Sequence, residues 1–175
     1  FSRQSRNFLL KKTRIIFNSA VLGLSFFLIP WYNKHDYITF IDADDWIEST
    51  YVEVMIGAIG NCDALIAGYI EETEKRKIYS VASDNNYRYV NLPLEEGIYE
   101  SDKISLIWKS MFEYDSGHVS FCANLWRTVF KTSKIKECYL EVDKSIYMDE
   151  DTTLSNIYFS KCNSIKVVSS TGYHY

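Results

Sequence analysis

Three aspartates, Asp42, Asp44 and Asp45, stand within four positions directly after a short apolar segment. That segment, residues 37–41, is rich in β-branched and aromatic side chains, which predicts a short buried strand. A strand that ends in this way places the carboxylates at the carboxyl end of a sheet, where open α/β folds bind their ligands. Because like charges so close together repel one another, the cluster is costly unless a cation lies between them. The pattern therefore predicts a divalent metal site at the end of a strand.

A second acidic pair, Glu150 and Asp151, stands just before a segment of helical periodicity. Leu154, Ile157 and Tyr158 recur at positions i, i+3 and i+4, which predicts a helix. The N-terminus of a helix is partly positive, so acids in its first turn also occur simply as stabilisers. The pair by itself indicates a helix start and leaves both a capping role and a chemical role open.

The composition is that of one folded domain. The chain has 175 residues, enough to bury a sizeable core, and 47% of them are hydrophobic. Its 19 Lys and Arg against 23 Asp and Glu give a formal net charge of −4, which excludes a broad basic surface for nucleic acid. The four cysteines form no Cys-x-x-Cys pair, so we expect no zinc ribbon and a reduced, cytoplasmic setting.

Apolar periodicity predicts alternating helices and strands along the rest of the chain. The segment Tyr51–Ile59 carries apolar residues three and four positions apart and stops at Gly60, which predicts a helix. Further strands are predicted at 63–70, 77–81 and 164–169, a further helix after Ser101, and a short amphipathic helix or turn at 131–137. This order predicts an α/β fold in which a mostly parallel sheet is flanked by helices.

The N-terminal segment, residues 1–36, differs from the rest. Residues 1–14 contain five Lys or Arg and no acid, and residues 15–32 are almost entirely apolar. A basic flank followed by about 18 apolar residues is the pattern of a membrane anchor, although polar residues such as Asn18 interrupt it. We expect a buried helix lying against the sheet, with a membrane anchor as the alternative. We therefore expect a cytoplasmic protein that is free of the membrane, peripheral to it or anchored in it.

Residues 40–46, Phe-Ile-Asp-Ala-Asp-Asp-Trp, resemble the metal-binding Asp-x-Asp segment of the family 2 glycosyltransferases of the GT-A fold. Later segments follow in that family's order. Residues 124–131 resemble the link before the acceptor region, 150–154 the Glu-Asp pair that opens the base-bearing helix, and 173–175 the end of the last strand. The resemblance covers residues 37–175 and implies a GT-A-like catalytic domain containing the metal and acceptor half of such an enzyme.

The resemblance also implies a reaction and a cofactor. A sugar would pass from a nucleotide-sugar donor to a glycan or lipid-linked acceptor, with inversion, as in polysaccharide biosynthesis, and with Mn²⁺ or Mg²⁺ as a Lewis acid. Asp44 is then the direct metal ligand, and Asp42 contacts the donor ribose or the metal through water. Asp45 is a second ligand or an orienting acid, and His174 completes the metal shell.

Asp151 is, by the same resemblance, the general base that takes the proton of the acceptor hydroxyl in a single inverting displacement. Glu150 is the alternative base or helps to position the acceptor. Trp46 and Trp126 are either stacking surfaces for the sugar or core residues.

One part of the family's pattern is not found in residues 1–36. The family's nucleotide-binding half begins with a strand, a helix and a second strand that ends in an Asp-Asp-Gly-Ser-type turn. Since this chain lacks most of that half, a truncated and inactive remnant of a transferase is the alternative to an active enzyme.

A phosphatase similar to the haloacid dehalogenases is a further alternative. There Asp42 would be the nucleophile and Asp44 the acid and base. That family requires Thr or Val two positions after the second aspartate, where this chain has Trp46.

Overall fold

The computed structural model describes residues 13–18, 35–72, 87–90, 92–112, 124–143, 145, 150–169 and 172–175. Within these ranges the chain forms ten strands and four α-helices. The strands are β1 (Thr13–Asn18), β2 (Tyr37–Asp42), β3 (Trp46–Ile47), β4 (Ala64–Ala67), β5 (Tyr69–Glu72), β6 (Tyr87–Val90), β7 (Gly97–Glu100), β8 (Thr128–Lys131), β9 (Ser164–Val168) and β10 (Tyr173–His174). The helices are α1 (Tyr51–Ile59), α2 (Ile104–Phe112), α3 (Thr132–Tyr139) and α4 (Glu150–Ser160).

Six of these strands form the main sheet, in the order β1-β2-β8-β4-β9-β7. β1 runs parallel to β2, and β4 runs parallel to β9. β8 is antiparallel to both β2 and β4, and β7 is antiparallel to β9. Four strands therefore share one direction, and the carboxyl ends of β1, β2, β4 and β9 lie along one edge. The predicted α/β fold is confirmed, but the sheet is mixed because β7 and β8 run against the others.

The remaining four strands form a smaller sheet, in the order β3-β10-β5-β6. β10 is antiparallel to β3, where His174 lies opposite Trp46, and parallel to β5. The single strand predicted at 63–70 is two strands. The chain leaves the main sheet at Gly68 and continues as β5 in the smaller one.

The apolar side chains of the main sheet alternate between two cores. In β4, Ala64 and Ile66 belong to the first core, and Leu65 and Ala67 belong to the second. This is the period of two that a strand buried on both faces requires. Helices α2, α3 and α4 pack on the first core, and α1 packs on the second. The sheet is thus a middle layer between helices.

The predicted helices agree with the structure. The buried side chains of α1 are the ones that the periodicity assigned to its inner face: Tyr51, Val52, Met55, Ile56 and Ile59. Helix α3 occupies the segment predicted at 131–137, and β9 occupies the strand predicted at 164–169. The strand predicted at 77–81 lies outside the described residues.

The prediction of a helix at residues 15–32 is wrong for the first residues of that segment. Residues Thr13–Asn18 form β1, which pairs with β2 in parallel from Thr13 opposite Tyr37 to Asn18 opposite Asp42. Several β-branched and aromatic residues in this segment suit a strand. The rest of the segment lies outside the described residues, and none of the helices that are described is long and apolar enough to cross a membrane.

Asp63 joins four elements at the amino end of β4. Its carboxylate accepts hydrogen bonds from Lys131 at 3.0 Å and from the Asn163 N–H at 2.7 Å, and it forms a salt bridge with Lys134 at 3.0 Å. Its carbonyl accepts a hydrogen bond from the Tyr158 hydroxyl at 2.6 Å. Burial by itself would raise the pKa of this carboxyl, but the Asn163 amide and the two ammonium groups outweigh that effect and hold the pKa at about 2.

We therefore expect Asp63→Asn to lower the free energy of unfolding at pH 7 by about 2 kcal/mol, the value of a pKa depressed by nearly two units. Because the folded-state pKa lies below the ordinary 3.8, this contribution is complete above about pH 4 and is lost as the pH falls toward 2. Urea titrations of the wild type and the variant between pH 2 and pH 7 measure it. Asp102→Asn, at an exposed position, is the control, and a wild-type-to-variant difference that does not change with pH would contradict the assignment.

Candidate active site

The acidic turn, residues 42–45, connects β2 to β3. The Asp45 N–H donates to the Asp42 carbonyl at 3.2 Å, which closes the turn. Asp44 at the tip is exposed, whereas Asp42 and Asp45 are half-buried. Aspartate suits such a turn because its short side chain can accept hydrogen bonds from nearby backbone. As predicted, the three carboxylates stand at the carboxyl end of a strand of the main sheet.

The hydroxyl of Tyr173, on β10, forms two hydrogen bonds with the acidic turn. It accepts a hydrogen bond from the Asp42 N–H at 3.2 Å and donates one to Asp45 Oδ2 at 2.5 Å. The residue is fully buried. Its ring packs edge-to-face on Tyr51 at 5.9 Å and stacks on Trp126 at 5.1 Å between centroids. The sequence offered no signal for this role, because the contact joins residues 131 positions apart.

The environment of Asp45 disfavours its charge. Burial raises the pKa of its carboxyl, the hydrogen bond from Tyr173 counteracts part of that rise, and the neighbouring Asp44 charge adds to it. Such a perturbed carboxyl next to an exposed acidic group is typical of functional sites. The turn is therefore a place where an incoming cation lowers the electrostatic energy.

His174 lies in the smaller sheet beside the acidic turn. Its Nδ1 is 2.8 Å from Glu72 Oε1, its Nε2 is 3.5 Å from Glu48 Oε1, and its ring stacks on Trp46 at 3.5 Å between centroids. The carboxylates that contact the imidazole here are thus two glutamates that the sequence analysis did not select. His174 as a metal ligand stays a prediction.

The two tryptophans differ in exposure. Trp126 is buried in the second core and stacks on Tyr173 and Tyr175, so it is a core residue. Trp46 is 49% exposed, and its Nε1 donates to Glu72 Oε1 at 2.9 Å. Its indole is therefore held between His174 and Glu72 with part of its surface open to solvent. Of the two predicted stacking surfaces, only Trp46 is placed to contact a ligand.

Glu150 and Asp151 begin helix α4, as predicted. Asp151 is half-buried, and its Oδ1 accepts a hydrogen bond from the Thr152 N–H at 2.7 Å. This bond satisfies one of the backbone donors that a helix N-terminus leaves open. The contact is consistent with a capping role.

The direction of α4 brings its first turn toward the acidic edge. Near the other end of the helix, Tyr158 bonds the carbonyl of Asp63 and the N–H of Lys131, which lie at the amino end of β4 and the carboxyl end of antiparallel β8. A short connection, residues 161–163, then leads into the amino end of β9. The C-terminal turn of α4 thus lies at the edge opposite the acidic turn. Since α4 packs along the sheet and 11 residues span about 16 Å, its N-terminus points toward the edge where β2 ends.

The side chains present fit a metal ion that is shared with a ligand. Among the residues that the structure describes, no three His, Cys, Asp or Glu side chains form a cluster that could hold a metal by themselves. Mg²⁺ at phosphate sites is usually held by one or two carboxylates together with water and ligand phosphates, and carboxylates also suit Mn²⁺. Asp44 and Asp42 supply two carboxylates of this kind.

Comparison with known proteins gives relatives of one class. No protein-family model matches the sequence. The glycosyltransferase GlyA of Streptococcus pneumoniae serotype 4 is 27% identical over 145 residues, which cover 72% of this chain and 21% of that protein. This chain therefore spans about a fifth of the length of the relative that it matches.

Solved structures of S. aureus TarS are similar to this chain in fold. The crystal structure of S. aureus TarS 1-349 in complex with UDP superposes with a TM-score of 0.55 and 13% identity, covering 83% of this chain and 37% of that one. The complex of TarS 1-349 with UDP-GlcNAc gives a TM-score of 0.50 and 14% identity, with 85% and 36% covered. The fold of this chain is thus similar to that of TarS 1-349.

Gly172 sets the path of the chain into β10. Its φ is +92°, and a Cβ placed there would lie 2.7 Å from Cδ of Glu48. Its carbonyl accepts a hydrogen bond from the Glu48 N–H at 2.9 Å. A backbone conformation that L-residues rarely adopt and a close neighbour both favour glycine at this position.

We expect Gly172→Ala to lower the free energy of unfolding by about 1 kcal/mol or more, because alanine is strained at this φ and collides with Glu48. Gly57→Ala in helix α1 is the matched control. Nothing lies within 4 Å of its Cβ position, so it should raise stability by up to about 1 kcal/mol. Urea unfolding measures both, and a Gly172→Ala protein as stable as the wild type would refute the assignment.

Proposed function

We propose that residues 37–175 form the metal- and acceptor-binding part of a glycosyltransferase domain. It transfers a sugar from a nucleotide-sugar donor to a hydroxyl group of a glycan or lipid-linked acceptor, with inversion at the anomeric carbon. The observation that carries the proposal is the acidic turn at the carboxyl end of β2, in a fold similar to that of TarS. The TarS complexes with UDP and UDP-GlcNAc support a nucleotide sugar as the donor class.

The three carboxylates of the acidic turn have different roles in the proposed function. Asp44, exposed at the tip, is the direct ligand of Mn²⁺ or Mg²⁺, and Asp42 contacts the donor ribose or the metal through water. Asp45 has one oxygen engaged by the Tyr173 hydroxyl, which favours its role as an orienting acid over that of a second ligand. When bound, the cation neutralises the leaving diphosphate as a Lewis acid.

Asp151 is the general base of the proposed reaction. Its carboxylate takes the proton of the acceptor hydroxyl while the acceptor oxygen forms a bond to the anomeric carbon. In the same displacement the bond from that carbon to the diphosphate breaks, and the nucleoside diphosphate leaves with the electron pair. The half-buried position of Asp151 and the direction of α4 support this assignment, with Glu150 as the neighbour that positions the acceptor.

Trp46 provides a surface for a sugar ring next to the acidic turn. Sugars pack their C–H faces on aromatic rings, and an indole held in place loses little freedom on binding. The stacking on His174 and the bond to Glu72 hold the indole in this way. The similarity to TarS also favours a transferase over the phosphatase alternative, since the fold relation lies with glycosyltransferases.

The first test is calorimetric titration with UDP in the presence and absence of MnCl₂. We expect wild-type protein to bind UDP only with the metal. Asp44→Asn should weaken that binding by more than about tenfold, because it replaces a charged ligand by a neutral one, and should abolish metal-dependent hydrolysis of UDP-GlcNAc.

Asp102→Asn controls for the loss of one surface charge and should bind as the wild type does. Asp44→Asn binding that equals the wild type would refute the metal assignment. A folded wild-type protein that gives no heat with UDP and MnCl₂ would identify the chain as an inactive remnant.

The second test separates catalysis from capping at Asp151. Asparagine caps a helix as well as aspartate does but is no base. We therefore expect Asp151→Asn to keep its free energy of unfolding within about 0.5 kcal/mol and its affinity for Mn²⁺ and UDP, while transfer of labelled GlcNAc to a panel of oligosaccharide acceptors falls by about 100-fold or more. Glu150→Gln, the matched neighbour, should lose less. Full transfer activity in Asp151→Asn would leave Asp151 as a cap alone.

A further inference from the structure

We propose that Tyr173 is the positioning residue of the acidic turn, and that its buried hydroxyl sets the turn in the shape that binds a metal–nucleotide complex before that ligand arrives. This inference rests on the proposed function and adds to it a residue from the opposite end of the described chain.

The hydroxyl of Tyr173 both donates and accepts a hydrogen bond within the acidic turn. A phenol has one proton to donate, and here it goes to Asp45 Oδ2, while the oxygen accepts the Asp42 N–H. The Asp45 N–H returns to the Asp42 carbonyl. The three bonds form a closed circuit through Tyr173, Asp45 and Asp42, so that neither end of the turn can move without breaking one of them.

The ring that carries this hydroxyl is itself held in place. It is fully buried between Tyr51 and Trp126, and its strand lies between β3 and β5. The phenol proton points to the Asp45 carboxylate, which can only accept it. A donor fixed in this way orients a carboxylate without any reorganisation when a ligand binds.

These contacts leave Asp44 as the carboxylate at the exposed tip of the turn. With Asp45 turned toward Tyr173 and Asp42 fixed through its backbone, the residue at the tip is the exposed acid of the turn. The hydroxyl also offsets part of the repulsion among the three carboxylates, which would otherwise drive them apart. Tyr173 acts through these aspartates and need not touch the ligand.

Tyr173→Phe tests the inference, because it removes the hydroxyl and keeps the ring. We expect calorimetry to give UDP binding in the presence of MnCl₂ that is weaker by about tenfold or more, the effect of losing a hydrogen bond to a charged group. Tyr51→Phe is the matched control. It removes a hydroxyl from another fully buried tyrosine in the same core and should change stability without changing this affinity.

The outcomes separate the two proposals. If wild type binds UDP with Mn²⁺ and Tyr173→Phe binds it equally well, the positioning role is wrong and the proposed function stands. If the wild type does not bind, both are overturned. If both tyrosine variants lose affinity in step with their loss of stability, the role of Tyr173 is structural only and the inference fails.

A measurement on the wild type keeps the inference testable should Tyr173→Phe not fold. Amide hydrogen exchange followed by NMR should find the Asp42 and Asp45 N–H groups protected in the ligand-free protein, with little further protection when UDP and MnCl₂ are added. Amides that become protected only with the ligand would overturn a preformed turn.

Discussion

Mutual repulsion of the carboxylates at the end of β2 is the constraint on which the other features of the site depend. The residues beside them in sequence, Ala43 and Trp46, carry no positive charge that could offset the repulsion among Asp42, Asp44 and Asp45. Relief comes instead from β10, which brings the Tyr173 hydroxyl under the turn. β10 has only two residues and is held in the smaller sheet between β3 and β5.

The two sheets have different tasks. The main sheet, buried on both faces, directs β2 and the N-terminus of α4 to one edge. The smaller sheet carries Trp46, Glu72 and His174, which contact one another, and Glu48 directly after β3 contacts His174. The main sheet is thus the scaffold, and the smaller sheet carries polar side chains that follow the acidic turn or contact those that do. This division is common where a rigid scaffold presents functional loops.

Local pattern predicted much of this fold. The β-branched and aromatic content of residues 37–41, the helical period of α1 and the acidic start of α4 are each patterns among neighbours in sequence, and the elements that they predicted were confirmed. The apolar segment from residue 15 was misjudged because a short apolar run suits a strand or a helix equally well, and pairing with β2 decided in favour of the strand. The break at Gly68 was missed for the same reason, since only strand partners distinguish β4 from β5.

The candidate site was predicted less completely than the fold. The three aspartates could be found because they lie within four positions of the sequence, and their place at a strand end is confirmed. The sequence did not indicate Tyr173, Glu48 or Glu72. Their place at the site depends on contacts between residues far apart in the chain, and no spacing in the sequence reveals such contacts. The roles assigned to Asp44, Asp151 and His174 stay predictions of chemistry.

The long sequence distance between the acidic turn and Tyr173 has a consequence for biosynthesis. Asp42 and Asp45 leave the ribosome 131 and 128 residues before Tyr173, the residue that completes their hydrogen bonding. At the usual rates of translation, about 5–20 residues per second, the nascent chain carries an uncompensated anionic turn for many seconds. The hydrogen bonding of the acidic turn is therefore completed only after β10 has been made, and the charge on the turn discourages premature association with other chains in the meantime.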